Sequence, residues 1–380
     1  MTDKIGVGML GYSFMGRAHS YAFKNMPHFF SPPPAIPELV SIYGRNVSNV
    51  KLAAENYGFR RFTTDWRNII SDGDVHIVDN CLPNYMHHKV SIEAIEHGKH
   101  VLCEKPLGMN AAEAKEMWET AKKGKVKAMV AFNYRFVPAV ILARELVKTG
   151  KLGRIYHFRA RYLQQWLIDP NFPLVWRLDK DKAGTGPIGD LGSHIIDLAH
   201  FILGDIRSVY AVIKNFIDER PLPYNSTKMG KVTVEDAFVA VVEFYQGAIG
   251  TLEASRFATG RMNYNNFEIN GENGSIEFNL ERMNELKYFI KEGDEKTHGW
   301  SNILVTEKVH PYIAKYWPSG HILGWDHTFI NEVYHLIDAI VDEKDIGPLG
   351  ATFEDGYRNN VILDALVESA TEGKKVNIHY

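Results

Sequence analysis

The chain has 380 residues, of which 45% are hydrophobic and 23% are charged, and its formal net charge is −3. That composition is typical of a globular protein, and the length suggests two domains. The nearly balanced charge gives no reason to expect binding to nucleic acid or to an acidic membrane surface. No apolar run is long enough to span a membrane and no signal-peptide pattern opens the chain, so a cytoplasmic protein is expected.

The first third of the chain alternates short apolar runs with helical patterns, which predicts βαβ units and a parallel sheet. Predicted strands cover residues 5–10, 39–43, 75–81, 100–103 and 128–132. Predicted helices cover residues 16–26, 50–57, 88–97 and 111–123, and a proline-rich insertion occupies 27–37. We therefore predict a dinucleotide-binding Rossmann domain over residues 1–136. Cys81 and Cys103 fall inside these apolar runs and are expected to be buried thiols rather than a disulfide or a zinc site.

Beyond residue 136 the strands become longer and the helices between them fewer. A helix is predicted over 139–148, followed by alternating strands over 155–162, 209–216, 237–244 and 249–255, with a hairpin turn at 270–274. Two amphipathic helices close the chain. The first places Phe329, Val333, Leu336 and Ile340 on one face, and the second opens with a capping box at Thr352.

The overall prediction is an α/β protein. It consists of an N-terminal Rossmann domain with a parallel sheet plus a C-terminal α+β domain with a large, mostly antiparallel sheet. The second domain is predicted over 137–380, for substrate binding and oligomerisation. An open sheet of this kind would expose one face, so a homodimer or homotetramer is expected.

A glycine-rich loop joins the first predicted strand to the first helix. Gly11-Tyr12-Ser13-Phe14-Met15-Gly16 is a G-x-G-x-x-G fingerprint with serine in the middle glycine position. In this motif the first glycine makes the tight turn, the middle residue is small beside the pyrophosphate, and the last allows close helix packing. We therefore expect Gly11, Ser13, Phe14, Met15 and Gly16 to contact NAD or NADP, although an ordinary glycine turn is an alternative.

The end of the second predicted strand reads Gly44-Arg45, where NAD enzymes usually carry an acidic residue. A small residue followed by arginine leaves room and charge for a 2′-phosphate, which favours NADP. Arg45 could equally stack on adenine or be a solvated surface charge, so the preference between NAD and NADP stays open.

Glu104-Lys105-Pro106 follows the fourth predicted strand, at the carboxyl edge where ligands bind in open α/β sheets. A lysine there can direct its ammonium group at a substrate hydroxyl, whereas an isolated Lys-Pro is otherwise a surface turn. Pro83 and Asn84 follow the third strand at the same edge.

Together with the glycine loop and Glu104-Lys105-Pro106, the segment 189–197 resembles the Gfo/Idh/MocA oxidoreductase family. That family includes glucose–fructose oxidoreductase and myo-inositol dehydrogenase, and the resemblance covers essentially the whole chain. It implies an NAD(P)-dependent sugar or cyclitol dehydrogenase in which Glu104, Lys105, Pro83 and Asn84 lie at the cofactor. Local runs at 28–30, 162–166, 176–177 and 317–318 are similar to a subgroup of sugar 3-dehydrogenases within the family.

Within that segment Asp190 and His194 are four residues apart, a spacing that places both on one face of a helix. Asp190 can orient the imidazole or hold a substrate hydroxyl. His194 can accept the hydroxyl proton while hydride leaves the same carbon, and Lys105 can stabilise negative charge on the oxygen. Asp197 is either a further polar group of the site or structural. A metal site at Asp190, His194 and Asp197 is a weaker alternative, because no further ligands cluster nearby, and no metal is predicted.

Tryptophans in polar surroundings indicate where a sugar would bind. The expected substrate-binding residues are Gln164, Trp166, Trp176, Arg177 and His321, together with Lys105, Asp190 and His194. Trp317 and Trp325 stand in similar surroundings. Aromatic faces beside amide and charged groups suit a polyol ring, and the absence of a Lys/Arg cluster favours a neutral sugar. The family resemblance implies a sugar such as levoglucosan or glucose, or an inositol. An NAD-dependent glycosidase and a non-catalytic dinucleotide-binding sensor remain as alternatives, and the three reactive residues together argue against the sensor.

Overall fold

The computed structural model describes residues 3–380, apart from the side chains of Asn225 and Ser226. Contacts between residues divide the chain into two compact units. The first unit comprises the chain up to Gly108, Ala112–Phe136 and Gly324–Tyr357. The second comprises Met109–Ala111, Val137–Leu323 and Arg358–Tyr380.

The strands are β1 Lys4–Leu10, β2 Ile36–Tyr43, β3 Arg61–Thr63, β4 Ile77–Asn80, β5 His100–Cys103, β6 Ala128–Val130, β7 Ile155–Leu163, β8 Ile206–Lys214, β9 Glu219–Leu222, β10 Asn225–Lys231, β11 Ala237–Phe244, β12 Ile249–Ser255, β13 Tyr264–Gly271, β14 Gly274–Asn279, β15 Glu285–Ile290, β16 Ser301–Leu304, β17 Ala351–Thr352 and β18 Val376–Asn377. The α-helices are α1 Phe14–Phe29, α2 Val47–Tyr57, α3 Arg67–Ile70, α4 His87–Glu96, α5 Ala111–Gly124, α6 Pro138–Lys148, α7 Lys180–Ala183, α8 Ser193–Ile202, α9 Asp326–Val341 and α10 Phe353–Glu372. None of these described helices has the length and apolarity needed to cross a membrane.

The first unit is built on a seven-stranded sheet in the order β17-β6-β5-β4-β1-β2-β3. Strands β1 to β6 are parallel, and β17 pairs antiparallel with β6. This is the strand order of a dinucleotide-binding Rossmann sheet, and it confirms the predicted parallel sheet. The prediction was incomplete at three points, because β2 begins at Ile36 inside the predicted proline-rich insertion and neither β3 nor β17 was foreseen.

The second unit contains a nine-stranded sheet in the order β16-β15-β14-β13-β7-β12-β11-β8-β18. Among the ladders of this sheet only the one between β7 and β12 is parallel, so the predicted, mostly antiparallel sheet is confirmed. The alternation of β11 buries Phe238, Ala240 and Val242 on one face and exposes Val239 and Val241 on the other. One face of the central strands therefore carries apolar side chains on the surface of the chain.

Helix α9 packs on α1, although it lies far beyond the predicted boundary at residue 136. Phe30 stacks on Tyr334 with ring centroids 3.9 Å apart, and Phe329 of the predicted apolar face is fully buried. Burial of that face accounts for the return of residues 324–357 to the first unit, which differs from the contiguous division expected from the sequence. The predicted capping box of α10 is present, with Thr352 Oγ1 accepting from the Asp355 N–H and Asp355 Oδ2 accepting from the Thr352 N–H.

Candidate active site

The glycine loop has the backbone geometry that a dinucleotide requires. Gly11 has a φ of +107°, in the region that favours glycine, and its N–H donates to the carbonyl of Tyr43 at 3.1 Å. A Cβ at Gly16 would lie 2.1 Å from the Gly11 carbonyl oxygen, so only glycine allows α1 to start this close to the loop. Ser13 stands at the N-cap of α1 and makes no side-chain capping bond there. The N–H groups of the first helical turn therefore suit a bound pyrophosphate.

Phe14 and Trp325 form a stacked pair beside this loop. Phe14 is 55% exposed, and its ring lies 5.4 Å from that of Trp325 at an interplanar angle of 11°. Trp325 in turn meets Phe329 edge to face at 4.6 Å. Trp325 was grouped with the sugar-pocket tryptophans on sequence grounds, whereas the structure packs it against the glycine loop of the first unit.

Gly44 and Arg45 stand where the sequence predicts discrimination between NAD and NADP, but the structure gives another reason for the small size of Gly44. A Cβ at Gly44 would lie 2.1 Å from the Tyr12 ring, so the residue is small because Tyr12 covers it and not to leave room for a phosphate. The Tyr12 backbone is held in turn, since the Tyr57 hydroxyl donates to its carbonyl at 3.0 Å. Arg45 is exposed, and its charge is what remains of the argument for NADP.

Glu104, Lys105 and Pro106 follow β5 as predicted, with Glu104 buried and Lys105 half-buried. The Lys105 N–H donates to Glu104 Oε2 at 3.1 Å. The buried His87 ring fits between two carbonyls, its Nδ1 2.9 Å from Pro106 O and its Nε2 2.8 Å from Leu82 O. Burial lowers the pKa of His87. The ring thus ties the Lys105–Pro106 turn to Leu82, the residue that precedes Pro83 and Asn84.

A buried cluster that sequence reasoning missed lies beneath this turn. His19 of α1 is completely buried, with Nδ1 2.9 Å from Asp79 Oδ2 and Nε2 3.3 Å from Glu104 Oε1. Burial opposes a charge on the His19 ring, but the Asp79 carboxylate outweighs it and raises the pKa of His19 well above its ordinary value. Burial and the same carboxylate raise the pKa of Cys81, whose thiol donates to Asp79 Oδ1 at 3.3 Å.

Among the described residues His19, Asp79 and Cys81 also form a group whose ligand-type atoms lie within 4.8 Å of one another. Both ring nitrogens of His19 face carboxylates, however, and protons satisfy that arrangement without an ion. We therefore interpret the cluster as an ion-pair network, in which His19 is hydrogen-bonded to Asp79 and in ionic contact with Glu104.

In the second unit, Asp190 lies in a π-helical turn, Ile188–Gly192, and His194 lies in α8, which follows it directly. The predicted helix through both residues is present, but its first turn is a π-turn rather than a regular α-helical turn. Asp190 Oδ2 accepts a hydrogen bond from Arg256 Nη2 at 2.8 Å. Arg256 is 1% exposed, and it follows β12 directly.

A chain of amide and aromatic groups extends from His194. Its ring lies 5.8 Å from that of Tyr162, whose hydroxyl donates to Asn263 Oδ1 at 2.7 Å. Gln164 Nε2 donates to the same oxygen at 2.8 Å, and Trp166 Nε1 donates to Gln164 Oε1 at 2.9 Å. Two predicted substrate residues, Gln164 and Trp166, are thus joined to the His194 neighbourhood.

Arg256 links this group to two further predicted residues, Arg177 and Trp176. Its guanidinium lies 5.3 Å from the centre of the Trp166 ring, and Nη1 donates to the Arg177 carbonyl at 3.5 Å. The Arg177 guanidinium covers Trp176 at 4.4 Å. His321 is exposed, and its Nδ1 lies 2.8 Å from the Pro318 carbonyl. None of its contacts with the described residues joins it to the cluster.

Four residues with evident structural roles were therefore missed, namely His19, Asp79, Arg256 and Asn263. A polar residue that interrupts an apolar pattern is a signal for His19 in α1 and for Asp79 in β4, but Arg256 and Asn263 stand in polar segments and give no such signal.

Two family models match the chain. Residues 5–132 match an oxidoreductase family with an NAD-binding Rossmann fold, and residues 140–277 match the Gfo/Idh/MocA C-terminal domain. A levoglucosan dehydrogenase from Pseudarthrobacter phenanthrenivorans is 40% identical over 99% of this chain and 98% of its own length.

Solved structures agree with these matches. A levoglucosan dehydrogenase in complex with NADH and levoglucosan has a TM-score of 0.95 and 41% identity, and each chain is covered completely. An oxidoreductase domain protein from Kribbella flavida has a TM-score of 0.95 and 46% identity with the same coverage.

Proposed function

Because the chain belongs to the Gfo/Idh/MocA family of NAD-binding oxidoreductases, we propose that it is an NAD(P)-dependent dehydrogenase of a neutral sugar or cyclitol. Hydride would leave the carbon of a secondary hydroxyl, most simply C3 of a pyranose such as levoglucosan. The observation that carries the proposal is the cluster around Asp190 and His194 in the second unit, in which amides, indoles and a buried arginine replace a basic anion clamp.

The cofactor would be held by the glycine loop and the first turn of α1. Bound NAD(P)⁺ supplies the acceptor for the hydride. Gly11 and Gly16 let the backbone approach the pyrophosphate. Ser13 is the N-cap of α1, and Phe14 and Met15 form its first turn, where the N–H groups would contact the cofactor. We leave both NAD and NADP open, since Arg45 is an exposed cation and no acidic residue stands beside it at the end of β2.

The oxidation requires a proton acceptor and a group that stabilises charge on oxygen. We assign proton acceptance to His194, which takes the hydroxyl proton as the carbon–oxygen double bond forms. Asp190 holds a substrate hydroxyl, and its pairing with Arg256 fixes the carboxylate in one direction. We assign to Lys105 the stabilisation of negative charge on the oxygen that becomes the ketone.

A neutral substrate is proposed because the described groups that extend from the His194 ring, namely Tyr162, Asn263, Gln164 and Trp166, are all uncharged. The cation deepest in that cluster, Arg256, is already paired with Asp190 and stacked on Trp166. A phosphate or carboxylate on the substrate would need a further cation to replace its water.

The test is a screen of levoglucosan, glucose, methyl glucosides and myo-inositol with NAD⁺ and with NADP⁺, following the absorbance of the reduced nicotinamide. Glucose 6-phosphate and gluconate serve as charged comparators. Oxidation of the neutral compounds is expected, and activity confined to the charged ones would refute the proposal. Activity on myo-inositol without any pyranose would keep the reaction and reject the pyranose assignment.

We further propose that the exposed apolar face of the nine-stranded sheet binds a second copy of this chain. Tyr210, Val212, Val239, Val241 and Ile249 lie on three adjacent strands and are 45–61% exposed. An apolar patch on a sheet face is the kind of surface that a two-fold related copy would cover. Light scattering should find a dimer or tetramer that Val241→Lys dissociates, and a monomeric wild type would refute the assignment. A cytoplasmic location stays a prediction.

A further inference from the structure

The mechanism above does not use the buried cluster in the first unit formed by His19, Asp79, Cys81 and Glu104. Asp79 and Cys81 lie at the carboxyl end of β4, Glu104 follows β5 and immediately precedes Lys105, and His19 lies on the buried face of α1. A buried charged network is costly unless each member is satisfied, so its retention calls for an explanation.

The contacts form a line of alternating charge. Asp79 faces His19 Nδ1 at 2.9 Å, and Glu104 Oε1 faces His19 Nε2 at 3.3 Å. Glu104 Oε2 then accepts from the Lys105 N–H at 3.1 Å. The two oxygens of Glu104 therefore connect the histidine ring to the backbone of Lys105.

The proton count follows from the two carboxylates. A neutral imidazole has one N–H, so one of the two carboxylates would face a ring lone pair. A protonated ring donates a hydrogen bond to Asp79 and places its charge in ionic contact with Glu104, which agrees with the raised pKa of His19 beside Asp79 and with the pKa of Glu104, which His19 lowers against the opposing effect of burial. Other charged or titratable groups near Glu104 are Lys105 itself, His87 of α4 and the Cys81 and Cys103 thiols.

Among the described residues, the other groups beside the His19 ring are a thiol and an aromatic ring, which accept hydrogen bonds less strongly than a carboxylate does. The Cys81 thiol lies 3.5 Å from Nδ1 and donates its own proton to Asp79, and the Phe329 ring from α9 covers the imidazole at 5.3 Å. The ring is thereby fixed in orientation as well as in charge.

We propose that His19 is a positioning residue, which by bridging Asp79 and Glu104 holds Glu104 on the Lys105 backbone and so sets the direction of the Lys105 side chain. The inference rests on the proposed role of Lys105 in the reaction. His19 acts on the substrate only through Glu104 and Lys105. Its loss should therefore reduce turnover without removing any group that touches substrate or cofactor.

Two isosteric variants separate the halves of the bridge. The Asn amide nitrogen occupies the place of Nδ1, so His19→Asn keeps the bond to Asp79 and loses the contact with Glu104. The Gln amide nitrogen reaches the place of Nε2, so His19→Gln keeps a polar N–H group in contact with Glu104. We expect His19→Asn to lower kcat by about tenfold to a hundredfold, the scale of an ångström-sized misplacement, with KM for the cofactor little changed. His19→Gln should retain kcat within about threefold of wild type, since the link to Glu104 persists.

Matched controls identify the route. His97→Asn makes the same change at an exposed histidine at the end of α4 and should leave kcat at the wild-type value. In a Glu104→Gln background the further loss from His19→Asn should disappear, because both changes break the same link. Melting temperatures of His19→Asn and His19→Gln should fall by similar amounts, so a loss of stability cannot explain a difference in kcat between them.

A readout that needs no substrate separates this inference from the proposed function. Hydrogen exchange of the Lys105 amide in the free enzyme should accelerate in His19→Asn and not in His19→Gln. That pattern supports the inference even if no sugar is oxidised. Wild-type kcat in His19→Asn, a greater loss in His19→Gln than in His19→Asn, or unchanged exchange of the Lys105 amide in His19→Asn would each overturn it.

Discussion

Replacing Arg256 with methionine tests whether its buried guanidinium supports the reaction by holding the Asp190 carboxylate in place. The side chain of Arg256 is 1% exposed and that of Asp190 is 26% exposed, and their 2.8 Å contact joins two full charges. A hydrogen bond to a charged group is worth about 1.5–3 kcal/mol. Since water reaches part of the Asp190 carboxylate, we expect the lower half of that range, about 1.5–2 kcal/mol.

At about 1.4 kcal/mol for each factor of ten, this predicts a loss of about tenfold to thirtyfold in kcat/KM. The assay is steady-state oxidation of the best neutral sugar from the substrate screen, with thermal unfolding of each variant recorded in parallel. Arg256→Lys keeps the charge without the planar fork, so it should recover part of the loss. Arg144→Met is the matched control, because that guanidinium also packs on a ring, Phe201, and donates to its carbonyl, but has no assigned role.

Two results would refute the reasoning. One is kcat/KM in Arg256→Met equal to that of Arg144→Met at the same loss of melting temperature. The other is full additivity of Arg256→Met with Asp190→Asn, since two residues acting through one contact must couple. Either result would make Arg256 a structural residue of the β12 end.

Four further outcomes are expected. Lys105→Met and His194→Ala should each lower turnover by about a hundredfold or more with cofactor affinity nearly unchanged, as measured by stopped-flow turnover and fluorescence titration; wild-type turnover would remove that residue from the mechanism. If Arg45 contacts a 2′-phosphate, Arg45→Ala should weaken NADP binding in calorimetry by about 1–3 kcal/mol and NAD binding much less, whereas equal losses would indicate adenine stacking. Trp176→Ala should raise KM for the sugar, and an unchanged KM would place the indole outside the substrate site. Because the Asp79 carboxylate overcomes burial and raises the folded-state pKa of His19, protonation stabilises the fold fully below about pH 6.5, and that contribution is lost as pH rises through the raised value. The difference in unfolding free energy between wild type and His19→Asn in urea should therefore shrink at alkaline pH, and a difference that grows there would contradict a charged ring.

Most of the fold could be predicted because it rests on local patterns. The bounds of β5, β11 and β12 were predicted to the residue, since period-two alternation or an unbroken apolar run flanked by polar residues marks a strand clearly. The glycine loop and the Thr352 capping box were predictable for the same reason, because each motif lies within six consecutive residues.

The parts that could not be predicted depend on contacts between distant segments. The burial of α9 on α1 was not visible, because an amphipathic stripe reveals that a helix packs but not which partner it covers. The π-turn at Asp190 was not visible either, since one extra residue in a helical turn leaves the apolar pattern almost unchanged. The pairing of Asp190 with Arg256 joins residues 66 positions apart, and nothing in the polar segment around Arg256 marks it as buried.

Glu104 and Asp190 are the two carboxylates with a proposed role in the reaction. Each faces a buried cationic side chain from another element of its own unit. Glu104 faces His19 of α1, and Asp190 faces Arg256 after β12. A carboxylate in a partly desolvated site has a fixed charge and direction only if a partner of opposite charge compensates it, and a cation held by the fold loses less entropy than one on a flexible surface chain. Lys105 and Asp190 are thus the ends of longer arrangements whose inner members, His19 and Arg256, are buried. Installing Lys105, Asp190 and His194 alone in a protein with both of these folded units should therefore yield far less activity than installing them together with His19 and Arg256.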